Sequence, residues 1–314
     1  MSDNNFKTAF APASIGNLGV GFDMLGLAIT GVGDRVSARK ADNTGIVIRE
    51  VQDPEGNPHP FLSNAPSENT ASIAAAALWD AAGDGSGVEL IVRKGIPLQS
   101  GMGSSAASAV AAVVAVNALL ERPLATADLL EYALVGEQFA SGGLHADNVA
   151  PSLVGGLVLC PQVLLPDIIQ LSVPEGVSSV LVHPALQVNT AESRQGLARH
   201  VSVDQWLTQQ GFLAGFIAAC RQDDIDMLGR CLRDEVIEPQ RADAVPCFAD
   251  AKAAALQTGA LGCSLSGSGP SIFALCRDEE AANVAAAMEQ ACRQRNYDCE
   301  SWISPLAAPG AYVE

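Results

Sequence analysis

Between Val88 and Leu120 the chain reads VELIVRKGIPLQSGMGSSAASAVAAVVAVNALL, and no charge follows Lys94 until Glu121. The segment VELIVRK predicts a strand, and Pro97, Gly101 and Gly103 predict a turn. Ser104 to Leu120 then predicts a helix whose many alanines allow close packing against a neighbour. A helix with no charged face has no side to offer water, so it must be enclosed. The turn that opens it points unpaired backbone N–H groups at one spot, where the helix dipole adds partial positive charge. Such a spot suits a phosphate. Gly101 and Gly103 let the backbone approach an anion closely, while the Ser104 and Ser105 hydroxyls can donate to phosphate oxygens or ligate a hard cation. A flexible linker leading into a buried helix would use the same residues.

The 314 residues, 48% of them hydrophobic, are enough for a large core in one or two domains. A net charge of −17 speaks against nucleic acid or an anionic membrane surface as a partner, since both need clustered Lys and Arg. Only four lysines occur, and none is expected near the glycine turn. An anionic ligand there would be neutralised by backbone N–H groups, a metal ion and selected arginines. The eight cysteines form neither a CxxC pair nor a zinc-spaced cluster, and read as reduced thiols of a cytoplasmic protein. MSDNNFKTAF lacks the basic and apolar regions of a signal peptide. The uncharged run from Gly95, interrupted by Pro97, Gln99 and Asn117, is too polar for a membrane span.

Elsewhere RVSARKA (35–41), GIVIREV (45–51), LVGGLVL (153–159) and VSSVLVHP (177–184) predict strands. Helices are predicted over 67–82 with Ser67 or Asn69 as cap, over 126–140 ending at Gly142 and Gly143, and over 204–220, 223–234, 246–257 and 279–294. This mixture, without a regular βαβ repeat, favours an α+β fold over a doubly wound sheet. The two prolines of CPQVLLPD place a domain boundary between 1–163 and 164–314.

Three further segments set small residues beside polar ones in expected loops. APASIGNLGVGFDMLGLAI (11–29) carries Asn17 and Asp23 among four glycines; they suit a ligand, or a set of turns with Asp23 capping a helix from Met24. EQFASGGLHADNVAP (137–151) gathers Glu137, His145, Asp147 and Asn148; Glu137 can be a magnesium ligand or a solvated helix residue. LSGSGPS (265–271) is either a hairpin turn or a backbone wall over a ligand. No GxxxxGK[ST] motif occurs. Gly101, Gly103 and Ala106 do match GxGxxA loosely, with Glu121 as a candidate ribose acid, which keeps a dinucleotide-binding oxidoreductase as an alternative.

In this order the motifs resemble the GHMP kinase family. PLQSGMGSSAA is similar to its phosphate loop, with Met102 where leucine is usual, and LSGSGPS is similar to its C-terminal glycine motif. PASIGNLGVGFDMLGLAI, LHADNVAP and NTAESR (189–194) resemble the homoserine kinases within it. The resemblance implies transfer of the ATP γ-phosphoryl group to the hydroxyl of L-homoserine. It also implies an N-terminal domain with a left-handed βαβ crossover and a ferredoxin-like C-terminal domain. By the same resemblance Pro97, Gly101, Met102, Gly103, Ser104, Ser105 and Ala106 cradle the phosphates, Gly267 and Gly269 close over the ligand, and Asn69 touches the nucleotide. Ser105 and Glu137 hold Mg²⁺. Asp23 takes the substrate ammonium, Arg194 and Arg241 its carboxylate, and Asn17 and His145 lie near the rest. Asn148 stands where several relatives carry a basic aspartate; it cannot accept a proton, so the hydroxyl proton is expected to pass to the phosphate, with Asp147 as the rival base. A homodimer is the expected assembly, and a non-catalytic ligand-binding protein on this fold is the other alternative.

Overall fold

The computed structural model describes residues 5–198 and 200–314. The chain first runs through β1 (Lys7–Gly16), β2 (Leu25–Ala41), β3 (Ile46–Gln52), α1 (Thr70–Ala82), β4 (Gly87–Arg93), α2 (Ser104–Asn117), α3 (Leu130–Ser141), α4 (Val149–Val154), β5 (Leu157–Leu159) and β6 (Ile169–Leu171). It continues through β7 (Val177–Pro184), α5 (Thr190–Gln195), α6 (Val203–Gln222), α7 (Ile225–Cys231), α8 (Glu238–Arg241), α9 (Phe248–Gln257), β8 (Ala260–Leu265), β9 (Ile272–Arg277), α10 (Ala281–Gln294), β10 (Cys299–Pro305) and β11 (Tyr312–Val313).

The first sheet has the order β11-β1-β2-β4-β3, with β5 pairing both β2 and β6. Among the described residues its one parallel pair is β3 with β4, joined through α1. The second sheet, β10-β7-β9-β8, is antiparallel throughout. Its fourth strand lies beside its first and its third beside its second, which is the ferredoxin-like arrangement. β11 then returns to the first sheet, placing Val313 opposite Ala9.

α2 is buried from Ala106 to Val116 at every residue but the half-buried Val114, as an uncharged helix requires, and packs on β1, β2, α1 and α3. A second core of Val180, Phe248, Val284 and Met288 lies among β7, α9 and α10. Among the described residues no helix is long and apolar enough to cross a membrane. The eight cysteines are free.

Several local expectations change. The boundary at 163 falls inside the first sheet, because β6 still pairs with β5; Pro161 and Pro166 flank a turn between two strands of one sheet. The chain enters the second sheet only at β7. LVGGLVL is not a single strand: Leu153 and Val154 finish α4, and Gly155 and Gly156, both at positive φ, turn the chain into β5. Segment 11–29 is mostly strand, leaving only residues 17–24 as a loop. No helix begins at Met24, because Asp23 has a φ of 56° and β2 starts at Leu25. The helix expected to run to Leu120 ends at Asn117, whose side-chain amide exchanges two hydrogen bonds with the Leu124 backbone and closes a turn.

Candidate active site

Gly101 and Gly103 have φ values of 74° and 69°, so both stand where a side chain would be strained. A Cβ on Gly103 would lie 2.5 Å from Ser14 Oγ and 2.9 Å from Asn148 Oδ1. Gly103 caps α2 without a side chain, and the first bond of the helix runs from Ala107 N–H to Gly103 C=O at 2.9 Å. The N–H groups of Ser104, Ser105 and Ala106 are therefore left at the positive end of the helix without a partner inside it. Met102, fully buried, pins the loop from below, and its carbonyl accepts from Ser14 N–H at 3.1 Å. Pro97 is half-buried at the start of the loop. The Ser104 hydroxyl, expected to reach a phosphate, turns back to the Ile96 carbonyl at 3.3 Å, so Ser104 has its N–H to offer.

Ser105 is half-buried, and its Oγ donates to Glu137 Oε2 at 2.7 Å. Glu137 is 8% exposed and no solvated helix residue. Its neighbour Gly136 explains this: a Cβ there would lie 2.6 Å from Thr70 C=O and 3.1 Å from Ala109 Cβ, so the missing side chain lets α3 lie directly on α1 and α2. Burial pushes the Glu137 carboxyl up to about 7 against the Ser105 hydrogen bond, Asp147 adding to the rise and Lys94 opposing it. Among the described residues no cation forms a salt bridge with Glu137, and no three acidic, His or Cys side chains gather as a ready-made metal cluster. A desolvated carboxylate beside a hydroxyl at a helix N-terminus is an oxygen donor set short of positive charge. It fits Mg²⁺, which takes one or two carboxylates and completes its shell with phosphate and water.

A lysine does lie at the loop, contrary to expectation. Lys94 Nζ donates to the Ser104 carbonyl at 2.8 Å from the buried side.

In loop 17–24, Asn17, Leu18 and Asp23 all have positive φ, a concentration of strain that the surrounding structure must hold in place. Asn17 Oδ1 accepts from Asp23 N–H at 3.0 Å, and its Nδ2 donates to Gly267 C=O at 3.1 Å. Asp23 and Arg194 were expected to take opposite ends of a substrate. They take each other, through two bonds of 2.7 and 2.8 Å, because opposite charges withdrawn from water are best paired. His145 Nδ1 lies 3.5 Å from Asp23, and burial holds its pKa below the ordinary value even so.

Arg241 is buried, donates to Gly267 C=O at 2.9 Å, and leaves its Nε without a partner. The guanidinium carbons of Arg194 and Arg241 stand 5.4 and 5.2 Å from the Phe22 ring centre, so a residue that sequence reasoning passed over holds both cations by their faces. The signal was one aromatic residue in the small-residue run GVGFD. Asp147 accepts from Asn17 N–H at 3.2 Å, and burial, with the Asp23 charge behind it, pushes its carboxyl up to about 7. Asn148 Oδ1 accepts from Ser14 Oγ at 2.9 Å, and a Cβ on Gly16 would lie 2.8 Å from its Nδ2. Asn148 thus lies close to Gly16 at the end of β1 and to Gly103 of the glycine loop.

Segment 265–271 connects β8 and β9 as a hairpin. Gly267 donates to Gly16 C=O at 3.1 Å, Gly269 donates to Ser266 C=O at 2.8 Å, and Ser266 Oγ donates to Gly101 C=O at 2.6 Å. Gly267 and Gly269 have therefore spent their N–H groups inside the protein, and the hairpin buttresses both loops. Asn69, buried, caps α1 by accepting from Ala71 N–H at 3.0 Å; Thr70 beside it donates to Ser105 C=O at 3.4 Å. Glu121 is exposed and lies beyond the whole of α2, about 20 Å of helix from the loop. That removes the acid a dinucleotide site needs.

A glycine loop at a helix N-terminus, a buried carboxylate bonded to its first turn and a nearby cluster of one carboxylate and two guanidiniums, on a chain joining an α+β domain to a ferredoxin-like one, are the parts of a small-molecule kinase fold. The chain belongs to the GHMP kinase family: residues 69–156 match the GHMP kinases N terminal domain and residues 216–294 the GHMP kinases C terminal. It is 42% identical to a homoserine kinase of Xanthomonas campestris pv. campestris (strain B100), over 96% of this chain and 92% of that protein. It is 39% identical to one of Chlorobium phaeobacteroides (strain BS1), over 98% of both. The crystal structure of homoserine kinase from Cytophaga hutchinsonii ATCC 33406 superposes with a TM-score of 0.94 at 38% identity, covering 100% of this chain and 99% of that one. A mevalonate kinase with a TM-score of 0.70 at 12% identity, covering 98% of each chain, shares the fold.

Proposed function

We propose that this protein transfers the γ-phosphoryl group of ATP to the side-chain hydroxyl of L-homoserine, giving O-phospho-L-homoserine and ADP. The observation that carries the acceptor is the Asp23–Arg194 pair with Arg241 beside it, one carboxylate and two guanidiniums next to the phosphate loop. An α-amino acid zwitterion inserted there exchanges one ion pair for two, its ammonium on Asp23 and its carboxylate on Arg194 and the free Nε of Arg241. An acceptor lacking either charge would leave a member of the pair unmatched in a half-buried site. Full-length identity of 39–42% with homoserine kinases supports the same reading.

The N–H groups of Ser104, Ser105 and Ala106 hold the phosphate oxygens, and Ser105 with Glu137 would hold Mg²⁺. Bound there, the cation neutralises charge that develops on the phosphates. Asn148, close to Gly16 and Gly103, orients the acceptor oxygen toward the phosphorus. As the new O–P bond forms, the bond to the bridging oxygen breaks and ADP departs. The hydroxyl proton passes to an oxygen of the transferred group, because Asn148 cannot take it and phosphoryl transfer asks for positioning and charge more than for a base. Asp147 is the second reading, favoured by a carboxyl at about 7, near the optimum for a base. Asp147→Asn separates the two: the proton-to-phosphate route keeps kcat within about tenfold, whereas a general base costs about 10²–10⁴. ADP release across L-homoserine, L-serine, mevalonate, shikimate and galactose, with phosphorus NMR of the product, tests the substrate. Turnover of an uncharged acceptor in preference to homoserine would refute the assignment.

A further inference from the structure

Beneath the phosphate loop, away from the acceptor pocket, three buried polar side chains remain that the proposed reaction does not touch. They are Asp34 of β2, Lys94 directly after β4 and Ser108 of α2, exposed by 0%, 5% and 3%. One carboxylate oxygen of Asp34 accepts from the N–H groups of Gly95 at 2.9 Å and Ile96 at 3.1 Å. The other accepts from Lys94 Nζ and from Ser108 Oγ, the latter at 2.7 Å. The ammonium spends its remaining donors on Ser104 C=O at 2.8 Å and Ser108 Oγ at 2.6 Å. Ser104 Oγ reaches back to Ile96 C=O at 3.3 Å.

The pattern is that both ends of one loop hang on a single ion pair. Gly95 and Ile96, where the chain leaves β4, are held by Asp34; Ser104 and Ser108, the first residue and second turn of α2, are held by Lys94 and Asp34 together. Gly33 and Gly95 make room for this, since a Cβ on Gly95 would lie 2.2 Å from Gly33 C=O. Burying two charges is costly, and apolar residues of similar volume would hold the core at least as well. What an ionic and hydrogen-bonded group adds is fixed direction. Each of its bonds sets the position of a backbone or helix atom at the mouth of the loop.

We propose that Asp34, Lys94 and Ser108 are positioning residues for phosphoryl transfer: they set the spacing of the loop mouth, and through it the aim of the N–H groups of residues 104–106. The inference rests on residues 101–106 being the phosphate site, as set out above. The loss of one tie lets the donors drift, weakening nucleotide binding and slowing the chemical step without altering the acceptor pocket, because none of the three touches loop 17–24, Arg194 or Arg241.

The test compares the parent with Ser108→Ala and Ser108→Thr, by titration calorimetry with Mg-ADP and by steady-state kinetics. Ser108→Ala is expected to raise the Kd for Mg-ADP about tenfold and lower kcat, with the KM for homoserine within about twofold of the parent; Ser108→Thr, which keeps the hydroxyl, is expected to restore both. A folded Ser108→Ala with a lower melting temperature but unchanged Kd, KM and kcat would overturn the proposal and leave the group a structural one. Should Ser108→Ala fail to fold, Lys94→Arg carries the same comparison, since it keeps the charge but replaces a point donor by a planar fork. A parent that turns over yet shows no protection of the residue 104–106 amides by Mg-ADP in hydrogen exchange would place the fault in the phosphate-site reading itself, and the inference would fall with it.

Discussion

Gly136→Ala adds one methyl group to α3, and the structure says where it goes. Its Cβ would sit 2.6 Å from Thr70 C=O, with Ala74 and Ala109 Cβ atoms at 3.0 and 3.1 Å. An ordinary contact begins at 3.4 Å, so α3 has to move outward by about 0.8 Å or tilt by an equivalent amount. Glu137 moves with it, and a 2.7 Å bond to Ser105 stretches past the range in which both groups can hold one cation. Stability should fall by up to about 2 kcal/mol, because overpacking of about 1–3 kcal/mol is only partly offset by about 1 kcal/mol of improved helix propensity. Activity should change much more, since a misplacement near 1 Å can cost about a hundredfold. We expect kcat/KM for Mg-ATP to fall about ten- to a hundredfold, with a higher Mg²⁺ requirement and an unchanged KM for homoserine. Steady-state kinetics over a magnesium titration, beside thermal denaturation, measures all three. A stable variant with parental kinetics would refute the idea that this glycine sets the distance between Glu137 and Ser105.

Glu137→Gln bears on the same carboxylate through pH. A carboxyl raised from 4.5 to about 7 leaves stability intact below pH 4.5, and stability is lost as the pH climbs to 7, by about 3 kcal/mol in all. The variant should therefore melt about 5 °C higher than the parent at pH 8 in EDTA and match it near pH 4, while losing most of its activity; equal melting temperatures at pH 8 would contradict the burial penalty. Asp23→Asn leaves Arg194 without its partner in a half-buried site, so the KM for homoserine should rise about ten- to a hundredfold with that for ATP unchanged. A parallel rise in both would remove Asp23 from the acceptor pocket. Phe22→Leu stays apolar but loses the ring face under two guanidiniums, and a several-fold rise in the homoserine KM is expected, with no change if the ring only supplies apolar contact.

Much of the site was legible where local chemistry decides it. The run from Val88 to Asn117 is strand, glycine turn and enclosed helix because its residues permit little else: glycines where φ must be positive, and no charge to face water. Asn17, Asp23, His145 and Asn148 announced themselves as polar residues among small ones in loops or beside them. The domain boundary was misplaced by the same logic, since prolines mark a break in a strand but not which sheet the next strand joins.

The sequence by itself determined the glycine turn, the enclosed helix that follows it and the order of the motifs, because backbone conformation and helix polarity are set within a few residues. Only the tertiary structure decided what the charged side chains do. Asp23 and Arg194 meet across 171 positions, Ser105 and Glu137 meet because Gly136 lets two helices touch, and Lys94, set aside as remote, lies under the loop with Asp34 from another strand. A charge acquires its role from the groups that replace its water, and those groups come from elsewhere in the chain.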